Sequence, residues 1–301
     1  MLYKKPITIL AWIIAILGAA AAATGIFSTG GPGESVITTV RGDTVRIYGE
    51  GLYQHMSSDV AIQGIAQDYI TLFVAAPLLL LSLYFARKGS FKGRLVLSGV
   101  LFYFLLTYLF YLTMAMFNAF FLGYVVLLSS SFFAVTLSLL SFNLNKLVTY
   151  FNPKIPVKLL GGFLIFNAIL IGLLWLSVVL PSLLSGTNPV DLDHYTTLIV
   201  QGLDLALFLP ISFLSGFFFI KRKAIGYLCA PVYLVFLSIL MTALSAKILG
   251  MTLVGVNAFP AIVIIPVINV TTLLFTFIAF KHIEEKGKDQ MAPAHLHKNM
   301  A

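Results

Sequence analysis

The residues with chemistry to offer fall into two similar groups far apart in the chain. His55 leads to Gln63-Gly64 and then Gln67-Asp68, while His194 leads to Gln201-Gly202 and then Asp204. Each group sets a histidine seven or eight residues ahead of a Gln-Gly pair, with an aspartate entering a long apolar run. Brought together, these side chains would form a polar pocket for a cation, a proton or a polar solute. In an enzyme the same imidazoles and carboxylates would act as acid and base. Each aspartate also has a plain structural use, because a carboxylate at a helix N-terminus caps free amides and suits the dipole. Two His and two Asp could hold a divalent metal, but no close His spacing supports it, so neither metal nor cofactor is expected. The chain has no nucleotide-binding glycine loop, HExxH, nucleophile elbow or haem-type histidine pair. His295-Leu296-His297 lies in a polar tail and reads as incidental.

Long apolar elements must position these groups. The 301 residues are 59% hydrophobic and 10% charged, whereas a soluble domain carries about 25% charged residues. So little charge cannot cover a soluble surface, and the outside must be lipid. The apolar runs are continuous rather than alternating, which predicts helices and not a β-barrel. Windows of about 19 residues place eight spans near 6–27, 69–86, 95–117, 119–142, 159–181, 203–220, 226–249 and 258–280. The fold class is therefore an all-α polytopic membrane protein.

With the N-terminus inside, all of the 19 Lys and Arg residues except Arg41, Arg46 and Lys247 fall on the inner side. Basic residues in short loops mark the cytoplasmic face, so both termini are expected in the cytoplasm and the chain in an inner (plasma) membrane. The net charge of +8 is this bias, with no nucleic acid implied. The first run is read as a retained span; a signal peptide cleaved near Thr24 is the alternative and would leave seven spans. Cys229 has no cysteine partner and reads as a small core residue.

A shift of 133 residues superimposes the second and sixth spans without gaps. Leu72 meets Leu205, Pro77 meets Pro210 and Ser82 meets Ser215; through the next loop Lys88 meets Lys221 and Gly93 meets Gly226. Asn118-Ala119-Phe120 also pairs with Asn257-Ala258-Phe259 at a slightly different offset. The expected organisation is two parallel four-helix repeats, 1–142 and 159–280, joined by a basic linker at 143–158 and followed by a cytoplasmic polar tail at 281–301. Coincidence between leucine-rich helices is the competing explanation. Pro77 and Pro210 should each kink a helix and free a carbonyl near Phe73 and Ala206, shaping a cavity on the repeat axis or only helping the packing.

Residues 28–67 form the one sizeable outer insertion. Val36–Val40 and Thr44–Tyr48 flank Arg41-Gly42-Asp43 and predict a β-hairpin; the turn explains the Arg-Gly-Asp triplet better than adhesion does. Lys247 is expected to snorkel from the outer end of span seven. Ser129, Ser130, Ser131, Asn167, Asn269, Thr271 and Thr272 are expected to hydrogen-bond between helices, with a lining role for Asn269 as the alternative.

The stretch carrying Gly51-Leu52-Tyr53, Gln67-Asp68, Pro77-Leu78-Leu79, Ala86-Arg87-Lys88-Gly89-Ser90, Gly93-Arg94-Leu95 and Tyr103-Phe104 resembles a group of uncharacterised prokaryotic multipass membrane proteins. The resemblance covers mainly spans two to four and implies a prokaryotic inner membrane, with no reaction attached. Three classes of function stay open. The first is transport or permeation of an ion or small polar solute between the repeats, although the scarcity of intramembrane charge counts against proton coupling. The second is a non-catalytic subunit or scaffold with a membrane partner or further copies of itself. The third is a membrane-embedded enzyme using the outer His/Asp groups. A continuous polar path would mark transport, a closed outer pocket an enzyme, and a dry bundle a scaffold.

Overall fold

The computed structural model describes residues 2–285. The His295–His297 pair and most of the polar tail lie outside the described residues. Eight helices are long and apolar enough to cross a membrane: α1 (Lys4–Phe27), α2 (Ser58–Arg87), α3 (Phe91–Met114), α4 (Phe121–Leu140), α5 (Val157–Ser185), α6 (Ile199–Ile220), α7 (Ala224–Leu253) and α8 (Ala261–Lys281). Between α1 and α2, β1 (Ser35–Thr38) pairs antiparallel with β2 (Thr44–Ile47), with Val36 opposite Arg46.

Two expectations need correction here. The insertion placed at 28–67 ends earlier, because α2 already begins at Ser58. Gln63, Gln67 and Asp68 lower the local hydropathy, but the small residues Ala61, Gly64 and Ala66 give this first part of the helix a face to bury. The prolines do not simply free a carbonyl at a kink. Each follows a π-helical turn, Thr71–Ala75 ahead of Pro77 and Asp204–Phe208 ahead of Pro210. The Ala76 amide reaches back five residues to the Thr71 carbonyl, and the Leu209 amide to that of Asp204. Proline cannot donate, and its ring crowds the carbonyl four residues back; widening the turn by one residue relieves that crowding while the helix continues.

Helix α7 is the centre of the bundle. Of its apolar window 78% is buried, against 17% for α5 and 6% for α8. It packs on α2, α3, α6 and α8, while α1 packs on α2 and α4, and α5 on α6. Gly99 of α3 lets α7 approach so closely that a Cβ would stand 2.6 Å from Val235 Cβ. Small residues set such crossings in lipid, where dispersion rather than water exclusion drives helix association.

At the end away from the hairpin, the basic end, the chain after α8 is tied down. Asn152 N–H donates to the His282 carbonyl and Glu284 N–H to that of Tyr150. The Glu285 carboxylate accepts from Ser90 Oγ and from the amides of Phe91 and Lys92, capping α3. Partial burial alone would push this carboxyl up, but those donors together hold it below the usual glutamate value.

Candidate functional site

Asp68 is not at a helix terminus. It lies ten residues inside α2, 1% exposed, so the capping role fails for want of free amides. Tyr53 Oη donates to Oδ2 at 2.5 Å and Tyr111 Oη to Oδ1 at 2.8 Å. Tyr53 comes from the short turn Gly51–Tyr53 after the hairpin. Tyr111 comes from α3, stacks edge-on against Tyr53, Tyr108 and Tyr124, and also contacts the Gly64 carbonyl at 3.0 Å. Burial first, and then the Asp68 carboxylate, push the Tyr53 phenol well above its ordinary value, so it stays a neutral donor. On the remaining side α1 brings Gly25, where a Cβ would lie 1.9 Å from Oδ2. The carboxyl is enclosed by three elements and held by two hydroxyls.

One turn of polar groups continues below it. Gln67 Nε2 donates to Tyr103 Oη and Thr107 Oγ1, each at 3.1 Å, and Thr71 Oγ1 meets Tyr103 Oη at 2.9 Å. Gln67 Oε1 is buried without a hydrogen-bond partner. Neutral hydrogen bonds of this kind contribute about 0.5–1.5 kcal/mol each, and these tie α2 to α3.

Asp204 opens the π-turn of α6 rather than standing at a cap. It is half-buried and accepts from Trp175 Nε1 of α5 at 2.8 Å. Gln201, one turn earlier, is buried. Lys247, expected to snorkel from the outer end of its span, is half-buried. It lies on α7 within the Coulombic reach of both Asp68 and Asp204, with no carboxylate oxygen within 4.0 Å among the described residues. The helix crossing explains its placement: Gly250, one turn on, packs against Ile62 and Ala66 of α2.

The histidines serve a different structure. His194 Nε2 donates to the His55 carbonyl at 3.0 Å, and the His55 side chain is exposed. Ser57 Oγ donates to Asp193 Oδ2 at 2.7 Å. Arg41 Nη2 donates to the carbonyls of Asp193 and, at 3.2 Å, Tyr195. These contacts clasp the α1–α2 and α5–α6 segments together at the hairpin end. Arg41 of the Arg-Gly-Asp triplet is thus an internal anchor. No hydrogen bond or ion pair joins either histidine to Asp68 or Asp204 among the described residues. Gln63 is half-buried one turn above Gln67.

Two cavities carry polar groups on their walls. One of 540 Å³ opens at the hairpin end beside Glu34, Arg46, Glu50, Asp59 and Asp193. The other, 350 Å³ and mostly apolar, lies between α2, α3, α7 and α8, with Ser238, Thr242 and Thr276 on its wall. Ser238 meets Thr276 at 2.8 Å; Thr242 donates to Asn269, which donates to Ser245. Asn269 therefore bonds between helices, and its neighbours also line this cavity. Among the described residues no group of three or more His, Cys, Asp or Glu could hold a metal.

Comparison with protein-family models, curated proteins and solved structures finds no match to this chain. The site must be read from its own geometry. Sequence inspection singled out Asp68 and Asp204 but missed Tyr53, Tyr111, Gly25 and Lys247 as their neighbours. Tyrosine and glycine are too common in apolar runs to signal a carboxylate cradle. Lys247, the lone cation inside a span, was the available clue.

Proposed function

We propose that this chain is a membrane transporter that moves an ion or small polar solute past charged residues between two four-helix repeats. The observation that carries the reading is polarity inside the spans: the Asp68 carboxyl on α2 is buried and held by Tyr53 and Tyr111, Asp204 on α6 accepts from Trp175, and Lys247 stands on the central helix α7. Charges inside spans are expensive and mark ion or substrate pathways. A polar line from Ser245 through Asn269 and Thr242 to Ser238 covers about 10 Å along α7 and ends at the 350 Å³ cavity.

The repeat reading, 1–142 and 159–280, draws support from features repeated at the 133-residue offset. The π-turns begin at Thr71 and Asp204. The chain reverses through positive φ at Gly89 and at Arg222. Lys88 lies over the Tyr84 ring, and Lys221 over Phe217. Gly93 presses on Phe85 and Ala86, and Gly226 on Phe218 and Phe219. At the other paired site, Asn118 and Asn257 each accept the amide two residues on. Even-numbered units of this kind are parallel and meet at an axis along the membrane normal. The basic end then faces the cytoplasm of a prokaryotic inner membrane, with the hairpin clasp outside.

The test is flux. Proteoliposomes are loaded with a pH-sensitive dye and given potassium and sodium gradients, then challenged with labelled amino acids and sugars. Transport by the wild type that drops at least tenfold in D68N and D204N, with monodispersity unchanged, supports the reading. Flux identical in both variants refutes this pathway. The second reading is a non-catalytic subunit, favoured by the bareness of α8, where only Thr272 and Ala279 are buried. No flux of any probe, together with copurification of a stoichiometric membrane protein, selects it instead.

A further inference from the structure

We propose that residues 49–57 are a lid over the Asp68 carboxyl, held shut by the 193–195 loop of the second half. The inference rests on the transport reading for what the lid admits, and it names the gate of that pathway.

Elimination identifies the moving part. Asp68 is covered by Gly25 of α1, by Tyr111 of α3 and by Tyr53. The first two belong to spanning helices, and moving either would strip a whole span of its packing. Tyr53 belongs to a short turn outside the spans. Its ring lies along Gly64, 3.5 Å from where a Cβ would stand, and its hydroxyl reaches Asp68 Oδ2 at 2.5 Å. Gly64 precedes Asp68 by one turn on the hairpin side, so the ring fills the approach to the carboxyl from that end. Leu52 and Met56 of the same segment are buried as well.

The segment is bonded into one unit. The Tyr48 amide donates to the Met56 carbonyl at 2.9 Å, the Gly49 amide to that of Gln54 at 3.1 Å, and the Met56 amide to that of Tyr53 at 2.9 Å. The ends of the segment are thus drawn together, and it can swing as a body. Its ties to the chain after α1 are polar: the Gly51 amide donates to the Gly30 carbonyl and the Leu52 amide to Ser28 Oγ, each at 2.7 Å. Water can replace such bonds at the hairpin end, which keeps their net cost low.

The latch comes from the other half. Ser57 Oγ donates to Asp193 Oδ2 at 2.7 Å, and His194 Nε2 meets the His55 carbonyl at 3.0 Å. Arg41 of the hairpin bonds the Asp193 and Tyr195 carbonyls. Among the described residues these are the hydrogen bonds that join 1–142 directly to 159–280. Deeper in the bundle the halves meet through close packing such as Gly99 on Val235. A displacement of the halves at the hairpin end therefore pulls on the lid. The 540 Å³ cavity touches both parts, Glu50 and Ser57 on one side and Asp193 on the other. A solute there reaches the Ser57–Asp193 bond itself, and Asp68 lies behind the segment that this bond holds. Lids of this kind admit a passenger and then exclude water from it.

The experiment is carboxyl labelling of the purified full chain in nanodiscs with a water-soluble carbodiimide and glycine methyl ester, read by mass spectrometry. Asp59, exposed on the same helix, is the internal reference. Wild type should label Asp59 and leave Asp68 unlabelled. R41A/S57A should raise Asp68 labelling at least tenfold relative to Asp59. H194A, which breaks one latch bond only, should raise it by a smaller factor and carries the test if the double variant does not fold. Glu285→Gln, which loosens the opposite end, should leave Asp68 unlabelled. Equal labelling of Asp68 and Asp59 in the wild type overturns the proposal. So does an Asp68 that stays unlabelled in the latch variants, or one that Glu285→Gln exposes as well. The expected labelling with no flux of any probe leaves the lid standing and refutes the transport reading. Flux that requires Asp68, with no labelling in the latch variants, refutes the lid alone.

Discussion

Gly25→Ala is the sharpest test of the site as described. The new Cβ would stand 1.9 Å from Asp68 Oδ2 and 2.8 Å from Tyr53 Oη. Ordinary contact begins at 3.4 Å, so α1 and the carboxyl must separate by 3.4 − 1.9, or 1.5 Å. Forcing extra volume into a packed interior costs about 1–3 kcal/mol. A shift of this size also breaks at least one tyrosine–carboxylate hydrogen bond, adding about 1–3 kcal/mol for the partner left unsatisfied. The sum of about 2–6 kcal/mol corresponds to a fall in Tm of about 4–12 °C at roughly 2 °C per kcal/mol for a chain of this length. The assay is thermal unfolding in one detergent, with Gly162→Ala as control because nothing lies within 4 Å of its Cβ position. The control should be neutral or slightly stabilising, since alanine favours helix over glycine by up to about 1 kcal/mol. The clash is with Asp68, so Gly25→Ala/Asp68→Ala should lie well above the sum of the single losses. If Gly25→Ala melts with the control, or the two substitutions simply add, the enclosed carboxyl of this structure is wrong.

Three further outcomes follow from the same structure. Arg41→Ala removes two donors to the Asp193 and Tyr195 carbonyls, so amide exchange should quicken by tenfold or more in residues 191–198 while α2 and α3 keep their protection; Arg41→Lys, lacking the planar fork, should restore only part. Glu285 has a depressed value, so its stabilisation is full above the ordinary 4.5 and lost as pH falls below it; protease access at residues 282–285 should rise on acidification, and Glu285→Gln should show that access already at pH 7. A π-turn holds one residue more than an α-turn, so deleting Val74 together with Pro77→Ala should leave a regular helix with Asp68 still facing Tyr111. Deleting Leu81 instead rotates everything beyond it by about 100° and should abolish monodisperse protein in size-exclusion chromatography.

The eight helices are legible from composition because lipid imposes a single rule on every span, and continuous apolar runs satisfy it. The helix starts are less legible where polarity and helicity part company. Asp59, Gln63 and Gln67 read as a soluble loop, yet Ala61, Gly64 and Ala66 bury one face of α2 against α1 and α7. The prolines likewise announce a break, but the local sequence does not say whether a kink or a wider turn absorbs it. That choice depends on what the turn must present to its neighbours. In α2 the residue that opens the π-turn is Thr71, and the acid sits one turn earlier at Asp68; in α6 the acid itself opens the turn at Asp204, and Gln201 stands one turn earlier. Residues three apart share a helix face. The residue that opens each π-turn therefore stands on the same face as the polar residue one turn earlier, about 4.5 Å along the axis. A register comparison sees single positions rather than a shared face, so it reads the acid's change of place between α2 and α6 as a mismatch.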